Sequence, residues 1–331
     1  MKKNWKRKID MMLSVVIITI LLPLFITIIS QRMRLEQVLY GGQTGGVQAN
    51  FSMDMATEAR VREEAGAEAF GAQAGGAKAV LGAEEELVGI VAKEIGVDAQ
   101  REAILAQCVI ARTNLYDARK RGTAEPGALG VGEMRDLWGA DFEKNYRVLE
   151  NCVAATKDEV LLWDGDYAYA AYHAISAGYT RDVTELYEEA EMPYLAEKEC
   201  GEDTVAKDYL SVSYFEREEF LEECRRLFAE SEVTEPSQIE VQSRDDAGYV
   251  EQMKVGQTAC LGEDFRSRLG LNSACFAITE VDDKIRIVTK GLGHGFGLSQ
   301  NTAECMAEEG KGYGEILAYF YPGTELKAIQ P

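Results

Sequence analysis

The stretch EVLLWDGDYAYAAYH, residues 159–173, contains the clearest local folding signal in the chain. Two runs rich in apolar and aromatic residues flank Asp164 and Gly165. Such a dipeptide is typical of tight turns in which both central residues have a positive φ angle. The stretch therefore predicts a β-hairpin.

The residues before the hairpin have the periodicity of helices. In EEELVGIVAKEI, residues 84–95, the 3.6-residue stripe combines three apolar side chains with the carboxylate of Glu94. A second helix is predicted with Asp98 as its N-cap and Gly122 at its end. A third is predicted over residues 144–156.

The residues after the hairpin mix both element types. The predicted strand pairs and helices are IEVQSRDDAGYVEQMKV (239–255), CFAITEVDDKIRIVTKG (275–291), residues 214–230, a helix capped by Ser299 or Asn301 that ends at Gly310, and YGEILAYF (313–320). Helices and strands do not alternate regularly as in parallel βαβ folds, so the predicted fold class is α+β.

The N-terminal part of the chain predicts a membrane anchor. Residues 11–30 form an uncharged apolar run of 20 residues, long enough to span a bilayer as a helix. Five basic residues within 1–10 place that tail in the cytoplasm and the rest of the chain outside the cell membrane. The alternative is a cleaved signal peptide. Residues 31–83, rich in Gly, Ala and Glu, predict a flexible stalk before a folded domain over 84–331.

Charge limits the partners that this chain can have. The first 34 residues contain seven basic residues and one acidic residue, whereas the whole chain has a formal net charge of −21. The remainder therefore carries −27, which argues against nucleic acid as a partner. A neutral or weakly charged ligand fits better.

Histidine and cysteine usage argues against a metal site. The chain has two histidines and seven scattered cysteines without a CxxC spacing. We predict no metal ion and no cofactor, and expect most cysteines to be small core residues.

The stretch GLGHGFGLSQ, residues 291–300, has a glycine at every second position over seven residues. In an extended conformation the four glycines would share one face. That face would form either the floor of a groove that a polymer approaches closely or a strand crossing under another element.

Glu94 is the candidate acid. A carboxylate on the inner stripe of a helix is partly desolvated, which raises its pKa and lets it hold a proton near neutrality. The alternative is a glutamate paired with a basic residue, for which Arg112 is the obvious candidate. His173 is either a ligand or base, or a structural histidine.

Five ordered motifs in residues 84–327 resemble the stage II sporulation protein D family, which also includes amidase enhancers. They are VGIVAKEIGVDAQREAILAQCVIARTNLY around Glu94, the turn YHAISAGYT, MPYL, DFRSRLGLNSACF, and GLGHGFGLSQ followed by MAEEGKGYGEILAYFYPGTEL.

The resemblance implies a lytic transglycosylase that cleaves peptidoglycan glycan strands stripped of stem peptides, during engulfment of the forespore. Glu94 would be the catalytic acid and Arg112 would meet the lactyl carboxylate of muramic acid. The other implied substrate-binding residues are Gln107, His173, Ser176, His294, Ser299 and Gln300. The implied partners are glycan strands, the membrane through one N-terminal span, and other engulfment proteins including an amidase.

The chain departs from the family pattern in three places. The usual Met-Pro after the glutamate is Ile95 and Gly96, the Ser-x-Gly-Gly turn is SAGY, and the usual Tyr-Gly-Ala after Ser-Gln is Asn-Thr-Ala. Some relatives bind zinc through cysteines near the histidine turn, but residues 174–181 contain none. Two other functions stay open: a non-catalytic wall-binding activator of an amidase, and a stalked receptor that only mediates interactions.

Overall fold

The computed structural model describes residues 76–187, 192–228 and 231–329. The helices are α1 Gly76–Glu94, α2 Arg101–Arg121, α3 Val131–Trp138, α4 Phe142–Ala155, α5 Val183–Leu186, α6 Arg217–Leu227, α7 Gly262–Leu269, α8 Gln300–Glu308 and α9 Tyr313–Phe320. The strands are β1 Glu159–Trp163, β2 Asp166–Tyr167, β3 Tyr172–His173, β4 Leu210–Glu216, β5 Ile239–Val241, β6 Gln252–Val255, β7 Thr258–Leu261, β8 Phe276–Val281, β9 Lys284–Lys290, β10 Leu298–Ser299 and β11 Glu325–Ala328. The α+β class is confirmed.

The N-terminal predictions fall mostly outside this part of the chain. The span over residues 11–30 and most of the stalk lie outside the described residues. None of the helices in the described ranges has the length and apolar character needed to cross a membrane. Helix α1 begins at Gly76, eight residues before the predicted start of the folded domain. Residues 76–83 include three alanines, which favour a helix.

The predicted hairpin is confirmed. β1 and β2 pair antiparallel with Trp163 opposite Asp166. The turn residues Asp164 and Gly165 have φ angles of 50° and 81°, the positive values that such a two-residue turn needs. β11 pairs antiparallel with the other side of β1 and completes a three-stranded sheet.

Helix α2 is the centre of the helical part of the fold. Residues Ala103 to Thr113 are all buried, so the helix is covered on nearly every side. One core cluster joins it to α1 and α4, and a second joins it to α9 and the segment around β3. Gly122 ends the helix in the left-handed conformation as predicted. The predicted N-cap is wrong, because Gln100 rather than Asp98 occupies that position.

The segment from β4 to β9 has its own apolar core. The predicted strand pairs are confirmed as β5 with β6 and β8 with β9, both antiparallel. The prediction of helix from residue 214 is wrong, because the helix begins at Arg217 and the residues before it form β4. The alternating pattern LSVSYFE suits a strand, and all seven residues of β4 pair with β9.

The chain returns from β9 to the helical part through residues 291–299. There β10 pairs in parallel with β3, so that Leu298 lies opposite Tyr172 and Ser299 opposite His173. Ser299 is the N-cap of α8 and accepts a hydrogen bond from the backbone N–H of Thr302, as predicted. This short pairing brings the histidine turn and the glycine stretch together.

Candidate active site around Glu94

Glu94 is the last residue of α1 and its side chain is partly exposed. Burial raises the pKa of the Glu94 carboxyl, while a hydrogen bond from the Tyr172 hydroxyl and the charge of Lys93 act in the opposite direction. A carboxyl with this environment keeps its proton closer to neutral pH than an exposed glutamate does. The residue therefore has the properties of a general acid.

The backbone of Glu94 is held by the start of α8. The Gln300 side-chain amide donates a hydrogen bond to the Glu94 carbonyl oxygen at 2.8 Å and to Gln107 Oε1 at 3.2 Å. Gln107 lies buried in α2. Two of the predicted substrate-binding residues therefore lie beside Glu94, where they bond to the protein itself.

Arg112 is fully buried and its guanidinium is satisfied inside the protein. Two N–H groups donate to the Glu84 carboxylate at 2.6 and 3.0 Å. The remaining bonds go to the Thr156 hydroxyl and to the carbonyl oxygens of Val153 and Glu159. A guanidinium has five N–H donors and this one makes five hydrogen bonds. The geometry leaves no donor for the predicted contact with a lactyl carboxylate.

The alternative interpretation of Glu94 as an ion-pair partner of Arg112 is wrong. The carboxylate that pairs with Arg112 is that of Glu84, one quarter exposed, near the middle of the same helix α1. The Glu94 carboxyl instead has Tyr172 as its side-chain hydrogen-bond partner. Glu94 is thus not neutralised by a buried arginine.

The two histidines lie side by side in the interior, with ring centroids 5.7 Å apart. His173 Nδ1–H donates to the Phe296 carbonyl oxygen, and His294 Nδ1 accepts from the Phe296 N–H, both at 3.0 Å. Burial lowers the pKa of His173 to about 4 and that of His294 well below its usual range. Both imidazoles are therefore neutral, and these contacts hold the glycine stretch rather than reach the surface.

Ser176 and Ser299 converge on Asp203, a buried residue that sequence reasoning missed. One Asp203 oxygen accepts hydrogen bonds from the Ser176 N–H at 2.6 Å and the Ser299 hydroxyl at 2.7 Å. The other accepts from the side chains of Asn301 and Thr302. Since both serines are fully buried, the structure gives them a role in joining the motifs and no exposed surface for a sugar.

The glycine stretch is not an extended strand. All four glycines have positive φ angles, which for an L-residue with a side chain is strained. A Cβ added at Gly295 would lie 2.6 Å from the Tyr249 ring, and one added at Gly297 would lie 1.9 Å from the Ala171 carbonyl oxygen. The groove-floor interpretation is therefore wrong, because protein atoms already occupy the space beside Gly291, Gly295 and Gly297.

A buried cation packs against the same stretch. The Arg181 guanidinium lies between the rings of Tyr249 and Phe296, 4.9 and 4.7 Å from their centroids. It donates to Asp245 at 2.6 Å. Tyr249, one ring of this sandwich, is also the ring that lies beside Gly295.

Comparison with known proteins shows which family the chain resembles. A family model described as stage II sporulation protein matches residues 71–163, which include Glu94. A stage II sporulation protein D from Bacillus amyloliquefaciens is 29% identical over 257 residues, covering 73% of each chain. One from Bacillus subtilis (strain 168) is 29% identical over 258 residues, covering 73% of this chain and 74% of the relative.

The chain is similar to the SpoIID family. The sequence resemblance is thereby confirmed. A further relative, a Bacillus subtilis (strain 168) protein called amidase enhancer, is 25% identical over 291 residues and covers 72% of this chain but 40% of its own length. The chain thus resembles sporulation proteins of the SpoIID family.

Two residues of this SpoIID-like chain make contacts that the sequence did not predict. Asp203 lies in CGEDTVAKDY, a stretch without periodicity in which it has no distinguishing signal. Tyr172 directly precedes His173, and the strand alternation of the histidine turn places it on the opposite face from His173. That alternation indicates that Tyr172 has different neighbours from His173, and in the structure its neighbour is Glu94.

Across the described ranges, no group of three or more His, Cys, Asp or Glu side chains is placed to hold a metal ion. The seven cysteines are free thiols, and four of them are buried.

Proposed function

We propose that the chain is a lytic transglycosylase that cleaves peptide-free peptidoglycan glycan strands, with Glu94 as its catalytic residue. Similarity to the SpoIID family supports the assignment of the protein to sporulation. The observation that carries the proposal is the state of the Glu94 carboxyl, which is partly exposed, not ion-paired with arginine, and raised in pKa by burial.

The reaction needs one carboxyl group that acts twice. Glu94 donates its proton to the glycosidic oxygen as the bond from muramic acid C1 breaks. The muramic C6 oxygen then bonds to C1, and the Glu94 carboxylate takes the proton from that hydroxyl. The product ends in a 1,6-anhydro ring, no water is consumed, and the carboxyl regains its proton.

The N-terminal sequence supports a proposal for the location of this activity. We propose that residues 11–30 anchor the protein in the cell membrane, with residues 1–10 in the cytoplasm and the Glu94 domain on the outer side. The basic residues before the apolar run support this orientation. Glycan strands and other engulfment proteins, including an amidase, would then be accessible partners.

The test is mass spectrometry of denuded glycan strands after incubation with the full chain in detergent. Wild type is expected to produce 1,6-anhydro ends, and Glu94→Gln is expected to lose about 10²- to 10⁴-fold in rate because it cannot donate a proton. Glu86→Gln is the matched control, since Glu86 lies on the same helix, is half exposed and pairs with Arg119 at the surface. Cleavage by Glu94→Gln at the wild-type rate would contradict the proposal.

A second candidate is a non-catalytic wall-binding activator of an amidase. The likeness to the amidase enhancer supports it. The same preparations distinguish the two functions. Binding of glycan strands without 1,6-anhydro products, together with faster hydrolysis by an added wall amidase, would favour the activator.

A further inference from the structure

The Tyr172 side chain contacts the Glu94 carboxyl from a different element, strand β3 rather than helix α1. Its hydroxyl hydrogen-bonds that carboxyl from β3, whereas Glu94 ends α1. In the same region, the neighbouring strand β10 leads directly into Gln300, whose amide holds the Glu94 carbonyl oxygen at 2.8 Å. Strand β3 and the first residue of α8 thus hold Glu94 at two points, one on the side chain and one on the backbone.

The position of Tyr172 is fixed independently of Glu94. Its backbone pairs with Leu298 in the β3–β10 ladder. Its carbonyl oxygen also accepts a hydrogen bond from the His294 ring. Because the strand register and this backbone contact set the Cα position, the tyrosine ring has a defined base from which its hydroxyl reaches Glu94.

The Tyr172 hydroxyl can act only as a neutral hydrogen-bonding group. Burial, the charge of Glu94 and the neighbouring hydroxyls of Tyr169 and Tyr321 all raise the pKa of Tyr172 well above its usual range. It therefore keeps its proton throughout the working pH range. On the Glu94 side, Lys93 is the charged group that acts on the carboxyl.

Resting on the proposed function, we propose that Tyr172 is a positioning residue that holds one oxygen of the Glu94 carboxyl and thereby directs the acidic proton to the other oxygen, where it meets substrate. A carboxyl has two oxygens, and a hydroxyl donor occupies a lone pair on one of them. The free oxygen then carries the transferable proton. The same hydrogen bond stabilises the carboxylate that forms after the glycosidic bond breaks.

Removal of the Tyr172 hydroxyl has a defined sign. The hydrogen bond favours the ionised form of Glu94, so its loss raises the pKa of that carboxyl. A general acid is active while protonated, so the alkaline limb of the pH–rate profile moves to higher pH. At the same time the proton is less well oriented and the carboxylate is less stable, so the maximal rate falls.

The experiment compares the full chain in detergent as wild type, Tyr172→Phe and Tyr214→Phe. Tyr172→Phe retains the ring, and Tyr214 is a 61% exposed tyrosine of β4 that serves as the matched control. For Tyr172→Phe we expect kcat on denuded glycan strands to fall about tenfold with KM unchanged, and the alkaline limb of the profile to rise by about one pH unit. Tyr214→Phe is expected to match wild type.

A second measurement does not depend on cleavage. Carboxyl ¹³C NMR of glutamate-labelled protein, with Glu94→Gln to assign the signal, follows the titration of Glu94 directly. Tyr172→Phe is expected to titrate at higher pH than wild type. An unchanged rate profile and an unchanged titration in a folded Tyr172→Phe protein would overturn the inference.

The two readouts separate the inference from the function on which it rests. If wild type releases no 1,6-anhydro ends while Tyr172→Phe still shifts the Glu94 titration upward, the transglycosylase proposal fails but the control of Glu94 by Tyr172 is supported. If wild type cleaves and Tyr172→Phe cleaves with the same pH profile, Glu94 remains the acid and Tyr172 is not its positioning residue.

Discussion

The Ser299 hydroxyl donates a 2.7 Å hydrogen bond to Asp203, although the two residues are 96 positions apart. The backbone N–H of Ser176 donates to the same carboxylate oxygen at 2.6 Å. Asp203 is thus the common acceptor of the histidine turn and the glycine stretch. Because these segments also carry Tyr172 and Gln300, the contact supports the surroundings of Glu94 from a distance.

We predict that Asp203→Asn destabilises the domain by about 2–4 kcal/mol. The carboxylate accepts four hydrogen bonds, whereas an asparagine amide presents an N–H₂ group in place of one oxygen, so two buried donors lose their acceptor. Urea denaturation measures the change, with Asp208→Asn at an exposed position as the control. A loss below about 0.5 kcal/mol would show that the four bonds do not hold the fold.

A comparison of Gly295 with Gly310 separates two costs of adding a side chain: backbone strain at positive φ and the steric clash of the new Cβ atom. Their φ angles are 87° and 89°, but a Cβ at Gly295 would lie 2.6 Å from the Tyr249 ring, while nothing lies within 4 Å at Gly310. Gly310→Ala is expected to cost about 1 kcal/mol from the backbone alone. Gly295→Ala is expected to cost at least about 1–3 kcal/mol more.

Thermal and urea unfolding of the two glycine variants give the difference directly. In the folded fraction of Gly295→Ala, glycan affinity is expected to equal that of wild type, because this face packs on protein. Equal stability losses in both variants would mean that Tyr249 moves aside freely. A selective loss of glycan affinity would restore the groove interpretation.

Arg112 is predicted to stabilise the fold rather than bind substrate. Arg112→Met leaves the Glu84 carboxylate without its cationic partner and removes the Arg112 hydrogen bonds to the Val153 and Glu159 carbonyl oxygens, so we expect a loss of about 3 kcal/mol in unfolding free energy. Arg101→Met, on the same helix but 62% exposed, should change stability by less than about 0.5 kcal/mol. Weaker glycan binding by a folded Arg112→Met domain of unchanged stability would support the lactyl-carboxylate contact instead.

The two histidines predict a pH dependence of stability. Their folded-state pKa values lie below the usual 6.5, so between the folded and unfolded values the unfolded chain binds more protons. Stability is expected to be independent of these groups above about pH 7. The free energy of unfolding should fall as the pH decreases from 6.5 towards 4. Once the pH is well below 6.5, each imidazole should contribute a loss of about 1.4 kcal/mol per pH unit.

NMR titration tests this directly, because these are the two histidines of the chain. Both imidazoles are expected to remain neutral at pH 6 in the folded protein, with Nδ1 of His173 protonated and Nε2 of His294 protonated. Protonation of either ring near pH 6.5 without unfolding would contradict their burial against Phe296.

Local patterns in the sequence predicted elements whose signals lie within a few residues. The turn at Asp164 and Gly165 needs only residues that tolerate positive φ, and Gly122 ends α2 for the same reason. The raised pKa of Glu94 also follows from a local pattern, since a carboxylate on an apolar helix stripe is partly desolvated wherever that stripe packs. These features depend on backbone preference and periodicity, which a short window contains.

Partners and exposure were decided by tertiary structure. Nothing near Arg112 in the sequence shows that Glu84 rather than Glu94 would reach it, because both lie on α1 and the choice depends on how α1 packs on α2 and α4. Likewise, the alternating glycines at 291, 293, 295 and 297 predicted an extended strand with one exposed face. In the structure all four have positive φ angles, and Tyr249 and Ala171 pack against Gly295 and Gly297.

The sequence by itself determined the resemblance to the SpoIID family, the α+β class, the hairpin and the candidate acid Glu94, because periodicity, turn residues and ordered motifs are properties of neighbouring positions. The tertiary structure alone decided that Ser176 and Ser299 meet at Asp203, that the histidines are buried and neutral, and that Tyr172 reaches Glu94. Those contacts join residues that lie between 27 and 123 positions apart in the sequence. Hydrogen-bond partners and desolvation depend on distances that exist only once β3, β10, α1 and α8 have packed together.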